Sequence, residues 1–385
     1  MAAIPPLLKD LNERTVLEAI RAGAPISRAE ISRRAGISKP TVSLALQSLL
    51  HAGLVREAAP DGDGPSYGAV FFESVPEAAL VLGIDLGARF VRGAVCDLAG
   101  RVRARQDVEL RRAHASTALE TITELVDTLV AVSGLGRELV DGIVVGVPGA
   151  VDATDGTIRL ATNVADLEGA AFADALGGSL ELPVRLENDV NLAAVGERWQ
   201  GVARGVEDFA FLSIGTGMGA GLVLGGELHR GRRGTAGEVD YAFGGFGEEV
   251  DPCAGAVAEL AGRVASRDNT SLTPPFDARD VFAAARAGDG AASSVVAEVA
   301  RRIALHAVPF AVAVDIDLVV LGGGIGANGD LILEPVRRHL GEWLPYPPRV
   351  EVSALGEAAV LTGALATGRR AALDNAFANR ARAGS

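Results

Sequence analysis

A chain of 385 residues with 49% hydrophobic but only 4% aromatic content can build two or three domains around a large aliphatic core, and its two cysteines, Cys96 and Cys253, are too few for a disulfide framework. No N-terminal signal sequence is visible, and the longest apolar stretch, Ile303 to Val314, contains His306, is followed by Asp315 and Asp317, and is too short to span a bilayer, so a soluble cytoplasmic protein is expected. The net charge of −13 is unevenly spread: residues 1–56 carry eight Lys/Arg against four Asp/Glu, a local +4 that leaves −17 on the rest, and a positive face on an acidic protein is an electrostatic footprint for nucleic acid.

The first predicted element is a helix over about Leu11 to Ala22. Ser27-Arg-Ala-Glu30 then has capping-box spacing, in which the Ser27 hydroxyl accepts from the Glu30 amide and the Glu30 carboxylate reaches back. A second helix follows, ending near Ala35, and Gly36 suits the turn because it tolerates a positive φ. Ser38 is the next N-cap, Pro40 is accepted in a first turn, and the third helix runs to about His51 with Val42, Leu46, Leu49 and Leu50 as its apolar stripe. This is the pattern of a helix-turn-helix, whose second helix offers its N-terminal residues to base edges in the major groove. Ser38, Thr41 and Ser43 suit either groove edge and Gln47 suits adenine, while Arg28, Arg33, Arg34 and Lys39 are candidate phosphate contacts. An ordinary three-helix packing unit would show the same periodicity; the local positive charge favours DNA. Asp61-Gly-Asp-Gly-Pro65 between extended segments suits a β-hairpin wing, though its acidic tip is unhelpful beside phosphate. Residues 1–75 thus form a winged helix-turn-helix domain.

Leu80 to Gly87 reads as a buried strand ending in an acidic-glycine turn, with strands Phe90 to Asp97 and Val102 to Leu110, a helix over about Ser116 to Val132, and a strand Ile143 to Val147. The pattern recurs: Phe209 to Gly217 is a strand entering a glycine turn, Gly221 to Leu224 and Glu227 to His229 are its hairpin partners, and Ile316 to Leu321 enters Gly322-Gly-Gly-Ile-Gly326 before a helix over Asp330 to Leu340. Arg369 to Ser385 reads as a helix ending in a loose tail. Two similar halves indicate a bilobal α/β protein with a cleft between lobes: residues 76–190 form the first lobe, residues 191–364 the second, and a C-terminal helix over 365–380 returns to the first.

Five blocks occur in order across nearly all of residues 80–366: Val145-Gly-Val-Pro-Gly-Ala-Val-Asp152, Leu186-Glu-Asn-Asp-Val-Asn-Leu-Ala-Ala194, Ser213-Ile-Gly-Thr-Gly-Met-Gly-Ala-Gly221, Gly234-Thr-Ala-Gly-Glu238 and Leu321-Gly-Gly-Gly324. Together they resemble the ROK family (repressors, open reading frames and sugar kinases), of the actin-like, ribonuclease-H-like sugar-kinase fold. With a winged helix in front, the chain is similar to the family's transcriptional-repressor branch, of the xylose type. The resemblance implies a sugar pocket at Gly149, Thr162, Asn163, Asn188, Asp189, Glu238 and Tyr241, with Asp189 at the general-base position of the family's kinases. Asn188 and Asp189 have donors and acceptors suited to hydroxyls, but either equally serves as a helix N-cap, and Glu238 equally suits a structural ion pair. Gly215, Thr216 and Gly217, like Gly323 and Gly324, match nucleotide-contacting turns, although tight turns alone would explain their glycines.

Departures from the family pattern matter more. Kinases of the family have Asp-x-Gly-Gly-Thr at the first phosphate loop, where this chain has Asp85-Leu-Gly87-Ala88-Arg89. Phosphoryl transfer depends on positioning and charge stabilisation, so the lost glycine and hydroxyl argue against turnover and make Asp85, Gly87, Gly215, Thr216, Gly217, Gly323 and Gly324 vestigial nucleotide positions. Many members also have a His and a three-cysteine zinc cluster where this chain has Tyr241 and Cys253 alone. A structural zinc site takes four ligands, so zinc is expected to be absent, as is any other cofactor. The expectation is a sugar-responsive DNA-binding repressor without catalysis, acting as a homodimer or dimer of dimers on an inverted-repeat operator. Two alternatives are an active ATP-dependent sugar kinase with a regulatory head, and a DNA-binding regulator with a vestigial sugar pocket.

Overall fold

The computed structural model describes residues 6–59, 69–161, 163–241, 243, 249–266 and 269–383. The head contains α1 (Pro6–Gly23), β1 (Ile26–Ser27), α2 (Arg28–Ala35), α3 (Lys39–His51), β2 (Val55–Ala58) and β3 (Phe71–Ser74). α1 begins before the expected Leu11, and its first turns leave Leu8 and Leu11 exposed, which hides that start from an apolar pattern. Ser27 accepts from the Glu30 amide at 3.3 Å, and Gly36 ends α2 at φ 68°. The reciprocal half of the capping box is not formed, because the Glu30 carboxylate binds Arg33 and Arg34 instead. β1 pairs with β3 and completes a three-stranded sheet in the order β1-β3-β2. The wing tip expected at Asp61 to Pro65 lies outside the described residues.

The first lobe holds a five-stranded sheet. Its strands are β4 (Leu80–Leu86), β5 (Phe90–Asp97), β6 (Val102–Glu109), β7 (Val140–Val147) and, beyond the small hairpin β8 (Ala150–Val151) and β9 (Ile158–Arg159), β10 (Val184–Asn188). Their order is β10-β7-β4-β5-β6, with β4, β7 and β10 parallel. α4 (Ala115–Ser133) buries Ala118, Ile122, Leu125, Val126 and Leu129, a 3.6-residue stripe, against one face, and α5 (Ala171–Leu180) joins the same core. Each such buried Ile, Leu or Val side chain contributes about 1.5–3 kcal/mol.

α6 (Asp189–Gln200) then leads to the second lobe, whose sheet runs β13 (Glu227–His229), β12 (Met218–Leu224), β11 (Phe209–Ile214), β14 (Leu318–Gly322), β15 (Arg349–Val352). Its helices are α7 (Ala254–Ala265), α8 (Ala278–Arg286), α9 (Gly290–Val314), the single turn α10 (Gly323–Gly326) and α11 (Gly329–Trp343). The apolar stretch Ile303 to Val314 is the second half of α9, which buries one face from Ala291 to Phe310 in the core of this lobe and leaves Val312 and Val314 exposed at its end. Among the described residues no helix is long and apolar enough to cross a membrane.

α12 (Ala359–Ala383) starts well before the expected residue 365 and packs on the first lobe's sheet, opposite α4. It also lies along α6 at a glycine crossing: a Cβ on Gly363 would overlap the Leu192 carbonyl, and one on Gly196 would overlap the Ala359 carbonyl. One continuous cluster contains Val16, Leu17, Leu49 and Phe72 of the head, Val81, Cys96 and Leu98 of the first lobe, and Leu361, Leu365 and Ala372 of α12. The head is therefore docked on the lobe rather than tethered to it. Arg14 binds Asp374 at 2.6 Å, and Arg21 donates to the Leu98 carbonyl.

Candidate functional site

The cleft is built where β7 and β10 end side by side, Val147 opposite Asn188. Asn188 caps α6: its Oδ1 accepts from the Asn191 amide at 2.9 Å, and its Nδ2 donates to the Gly149 carbonyl at 3.0 Å. The cap role is thus real, and it leaves Asn188 one amide hydrogen and one lone pair for a ligand. Gly149 has φ 93°, and a Cβ there would overlap the Arg159 carbonyl, so backbone packing alone requires glycine. Glu187, just before, is buried and committed: Arg230 holds one oxygen at 2.6 Å and Asn191 the other at 3.0 Å.

Asp189 opens α6, and its Oδ1 accepts the adjoining Val190 amide at 2.8 Å. Burial pushes its pKa up to about 7, and the nearby carboxylates of Asp85 and Glu238 push in the same direction. Burial likewise raises Asp85 to about 6, despite Arg92 at 3.3 Å. Glu238 is raised by burial and by Asp240. Three carboxyl groups therefore share one floor, and near neutrality Asp189 both donates and accepts hydrogen bonds. That suits a sugar hydroxyl, and equally a proton-abstracting base. Arg92 also reaches Glu357, at 3.0 Å, on the turn before α12.

The other candidates divide. Thr162 lies outside the described residues. Asn163 is exposed, and Tyr241 is 66% exposed. Gly215, Thr216 and Gly217 join β11 to β12 as a three-residue hairpin connection, with the Gly215 amide donating to the Gly217 carbonyl at 3.0 Å. Gly323 has φ 76°, and a Cβ would overlap the Ile214 carbonyl, whereas Gly324 has open space. The tight-turn explanation therefore accounts for Gly323 and does not account for Gly324. At the first loop, the Gly87 amide donates to the Phe90 carbonyl at 3.0 Å, and the Arg89 guanidinium lies over the Phe90 ring at 5.7 Å. Cys253 is buried at the start of α7, where desolvation and Asp251 raise its thiol pKa, and burial pushes Cys96 up to about 12. Among the described residues no group of three or more His, Cys, Asp or Glu side chains is placed to hold a metal ion.

On the head, Ser38 caps α3 by accepting from the Thr41 amide at 3.3 Å, and its hydroxyl bonds that of Thr41 at 2.8 Å. Ser43 donates to the Lys39 carbonyl. Arg33 and Arg34, the candidate phosphate contacts on α2, are exposed and each is paired with Glu30. Arg28, Lys39 and Gln47 are exposed and carry no such partner among the described residues. Sequence reasoning missed Leu44, which is 49% exposed on the same helix, off the apolar stripe; an apolar residue there suits a thymine methyl. Its signal was available, as a leucine out of phase with Val42, Leu46 and Leu49.

Residues 81–371 match the ROK family, and residues 10–64 match the MarR family. A xylose repressor of Caldicellulosiruptor bescii is 27% identical, over 94% of this chain and 96% of its own. A glucokinase of Halalkalibacterium halodurans is 28% identical, over 67% of this chain and 84% of its own. Among solved structures, a ROK family transcriptional regulator homologous to the E. coli MLC protein superposes with a TM-score of 0.81 at 20% identity, covering 97% of this chain and 98% of that one. A ROK family glucokinase from Streptomyces griseus, in complex with glucose and AMPPNP, gives 0.63 at 26% identity over 76% of this chain and all of that one.

Proposed function

Because the chain belongs to the ROK family, we propose that it is a sugar-responsive transcriptional repressor whose cleft binds the effector and whose docked head reads the operator. The observation that carries this reading is the joint presence of a helix-turn-helix with an exposed Lys39–Leu44–Gln47 face and a cleft floored by Asp85, Asp189 and Glu238, in one continuous structure. The full-length similarity to a xylose repressor supports it. The protein acts as a homodimer or higher assembly on an inverted repeat, since helix-turn-helix proteins gain affinity by placing two heads on half-sites a helical turn or a multiple apart. It carries no zinc and does not phosphorylate sugar. Ala88 and Arg89 replace the glycine and threonine of the phosphate loop, and Arg89 is turned onto Phe90.

Asp189 favours a second reading. A carboxyl group poised near neutrality at the family's general-base position is what a sugar kinase requires, and glucokinases are among the relatives. One set of measurements separates the two. Selection of bound duplexes from a random pool, followed by titration with D-xylose and D-glucose, should yield an operator with inverted symmetry and an affinity that changes with one sugar. ADP release with ATP and the same sugars should stay at background. Turnover at ordinary kinase rates, abolished by Asp189→Asn, together with no selected sequence, would replace the repressor reading with the kinase one.

A further inference from the structure

The turn at Leu98 to Gly100, between β5 and β6, is where the head, the linker behind it and two helices of the lobe meet. Both backbone polar groups of Leu98 are spent on the head side. Its amide donates to the Pro76 carbonyl, in the linker after β3, at 2.9 Å, and its carbonyl accepts from Arg21 of α1. The Val75 amide of the linker donates in turn to the Leu54 carbonyl of the head at 2.9 Å. The turn itself is stiff. Asp97 Oδ1 accepts from the Ala99 and Arg101 amides at 2.9 and 3.0 Å, Asp97 Oδ2 accepts from Arg103 Nε at 2.8 Å, and the Gly100 amide donates to the Asp97 carbonyl at 2.9 Å. A turn held by this many bonds passes a displacement on rather than absorbing it.

Two helices press on it from the lobe side. Trp199, next to last in α6, lays its indole against Gly100: glycine suits the φ of 82° there, and a Cβ would stand only 2.7 Å from the indole Cζ2. Arg369 of α12 places its guanidinium over the Trp199 ring at 5.1 Å and reaches the Leu98 carbonyl with Nη1 at 3.5 Å. Arg21 from the head and Arg369 from the lobe thus share one acceptor, and Arg369 Nε is buried without a hydrogen-bond partner among the described residues. Burial lowers the pKa of both guanidinium groups, and Arg369 lowers that of Arg21 further, with Glu18 and Asp97 opposing in part. A small gap lined by Leu17, Arg21, Leu54, Leu98 and Leu373 adjoins the shared carbonyl and gives Arg21 room to respond when Arg369 shifts.

We propose that Trp199 is the positioning residue that passes the state of the cleft to the head, by setting how Arg369 and the Leu98–Gly100 turn present the Leu98 carbonyl to Arg21. The inference rests on reading the cleft as the effector site. α6 begins at Asp189, so the effector contact and the indole stand toward opposite ends of one helix, about 15 Å apart along its axis. A ligand that favours one placement of α6 over another therefore changes the pressure on the turn, and only such unequal affinity shifts the balance of states. Trp199 lies apart from the cleft floor at the start of α6 and from the reading face of α3, so its replacement separates the coupling from both binding events.

The test uses the full chain, D-xylose and D-glucose, and the duplex that the wild type selects from a random pool. Trp199 and Trp343 are the chain's two tryptophans, so in a Trp343→Phe background the emission reports Trp199 alone. The sugar that changes operator affinity should shift that emission. In Trp199→Ala and, independently, in Arg369→Met, calorimetry should show that sugar binding as in the wild type. Its effect on operator affinity, about 5–150-fold in a typical allosteric protein, should fall below about twofold. Trp199→Phe, which keeps an aromatic face for Arg369, should restore most of it. A merely structural role would instead lower the melting temperature and the ligand-free operator affinity while the sugar's fold effect persisted. An undiminished sugar effect in either variant that melts cooperatively, or an emission unmoved by a sugar that alters operator affinity, would overturn the proposal and leave the cleft reading intact. Failure of both sugars to bind the wild type would overturn both.

Discussion

Asp189→Asn tests the electrostatics of the cleft floor directly. The carboxyl's ordinary value is 3.8, and in the fold it is pushed up to about 7. The native state therefore holds this proton more tightly than the unfolded chain, so stability falls as pH rises from about 4 to about 7 and is flat beyond. About three pKa units at 1.36 kcal/mol each set a ceiling of about 4 kcal/mol on the cost of the charged form. Asp189 is partly accessible, and Asp85 titrates in the same range, so about 2 kcal/mol is expected in practice. Asparagine removes that cost, and its Oδ1 can still accept from the Val190 amide. Urea unfolding of both proteins from pH 5 to 8.5 is the assay. The variant's advantage should grow up to about pH 7.5 and then level off. Parallel stability curves for the two proteins would refute the assignment of a buried, high-pKa carboxyl at the floor.

Three further outcomes follow from the geometry. Lys39→Ala should weaken binding to all duplexes and flatten the salt dependence by about one unit of slope, whereas Leu44→Ala and Gln47→Ala should alter base preference, each costing about 1–3 kcal/mol at the bases read, as measured by duplex titration over a salt series. Gly363→Ala should force α6 and α12 apart, because its Cβ has no space beside the Leu192 carbonyl; a loss of about 1–3 kcal/mol in unfolding, with a diminished sugar effect on operator affinity, is the expected reading. Elemental analysis should find well below one zinc per chain, and a chelator should leave the melting temperature unchanged, since among the described residues no thiolate and imidazole set couples metal to folding.

Features encoded locally were legible in the sequence. Ser27, Gly36 and Ser38 punctuate the helix-turn-helix, and each does in the structure what its type allows. The central strands could be read as apolar runs, as with Leu80 to Leu86, because strands buried on both faces lose their alternation. What was not legible depends on choices between near-equal partners or on distant contacts. Glu30 was free to complete a capping box or to clamp Arg33 and Arg34, and the two charge-assisted pairs at i,i+3 and i,i+4 hold it in the clamp. The second half of the Ala- and Val-rich α9 lacks a polar face to announce its full length. The docking of the head rests on Val81, Leu98 and Leu365, which no local pattern links to Leu17 or Phe72.

That docking constrains how a ligand can act on DNA. Asp189 is the first residue of α6, so a ligand held there bears on the N-terminus of that helix. α6 and α12 meet at Gly196 and Gly363 with backbone against backbone, flanked by the packed side chains of Leu192, Val360 and Ala364, so a displacement of one helix bears directly on the other. The far end of α12 then supports the head through Ala372 and Leu373 and through the Arg14–Asp374 pair. The pair is exposed and worth no more than about 1 kcal/mol, so the shared apolar cluster carries most of the attachment. A coupling of about 1–3 kcal/mol, typical of allosteric proteins, lies within what a contact of this kind can transmit. The sequence places Asp189 and the helix-turn-helix about 150 residues apart; the structure joins them through two closely packed helices.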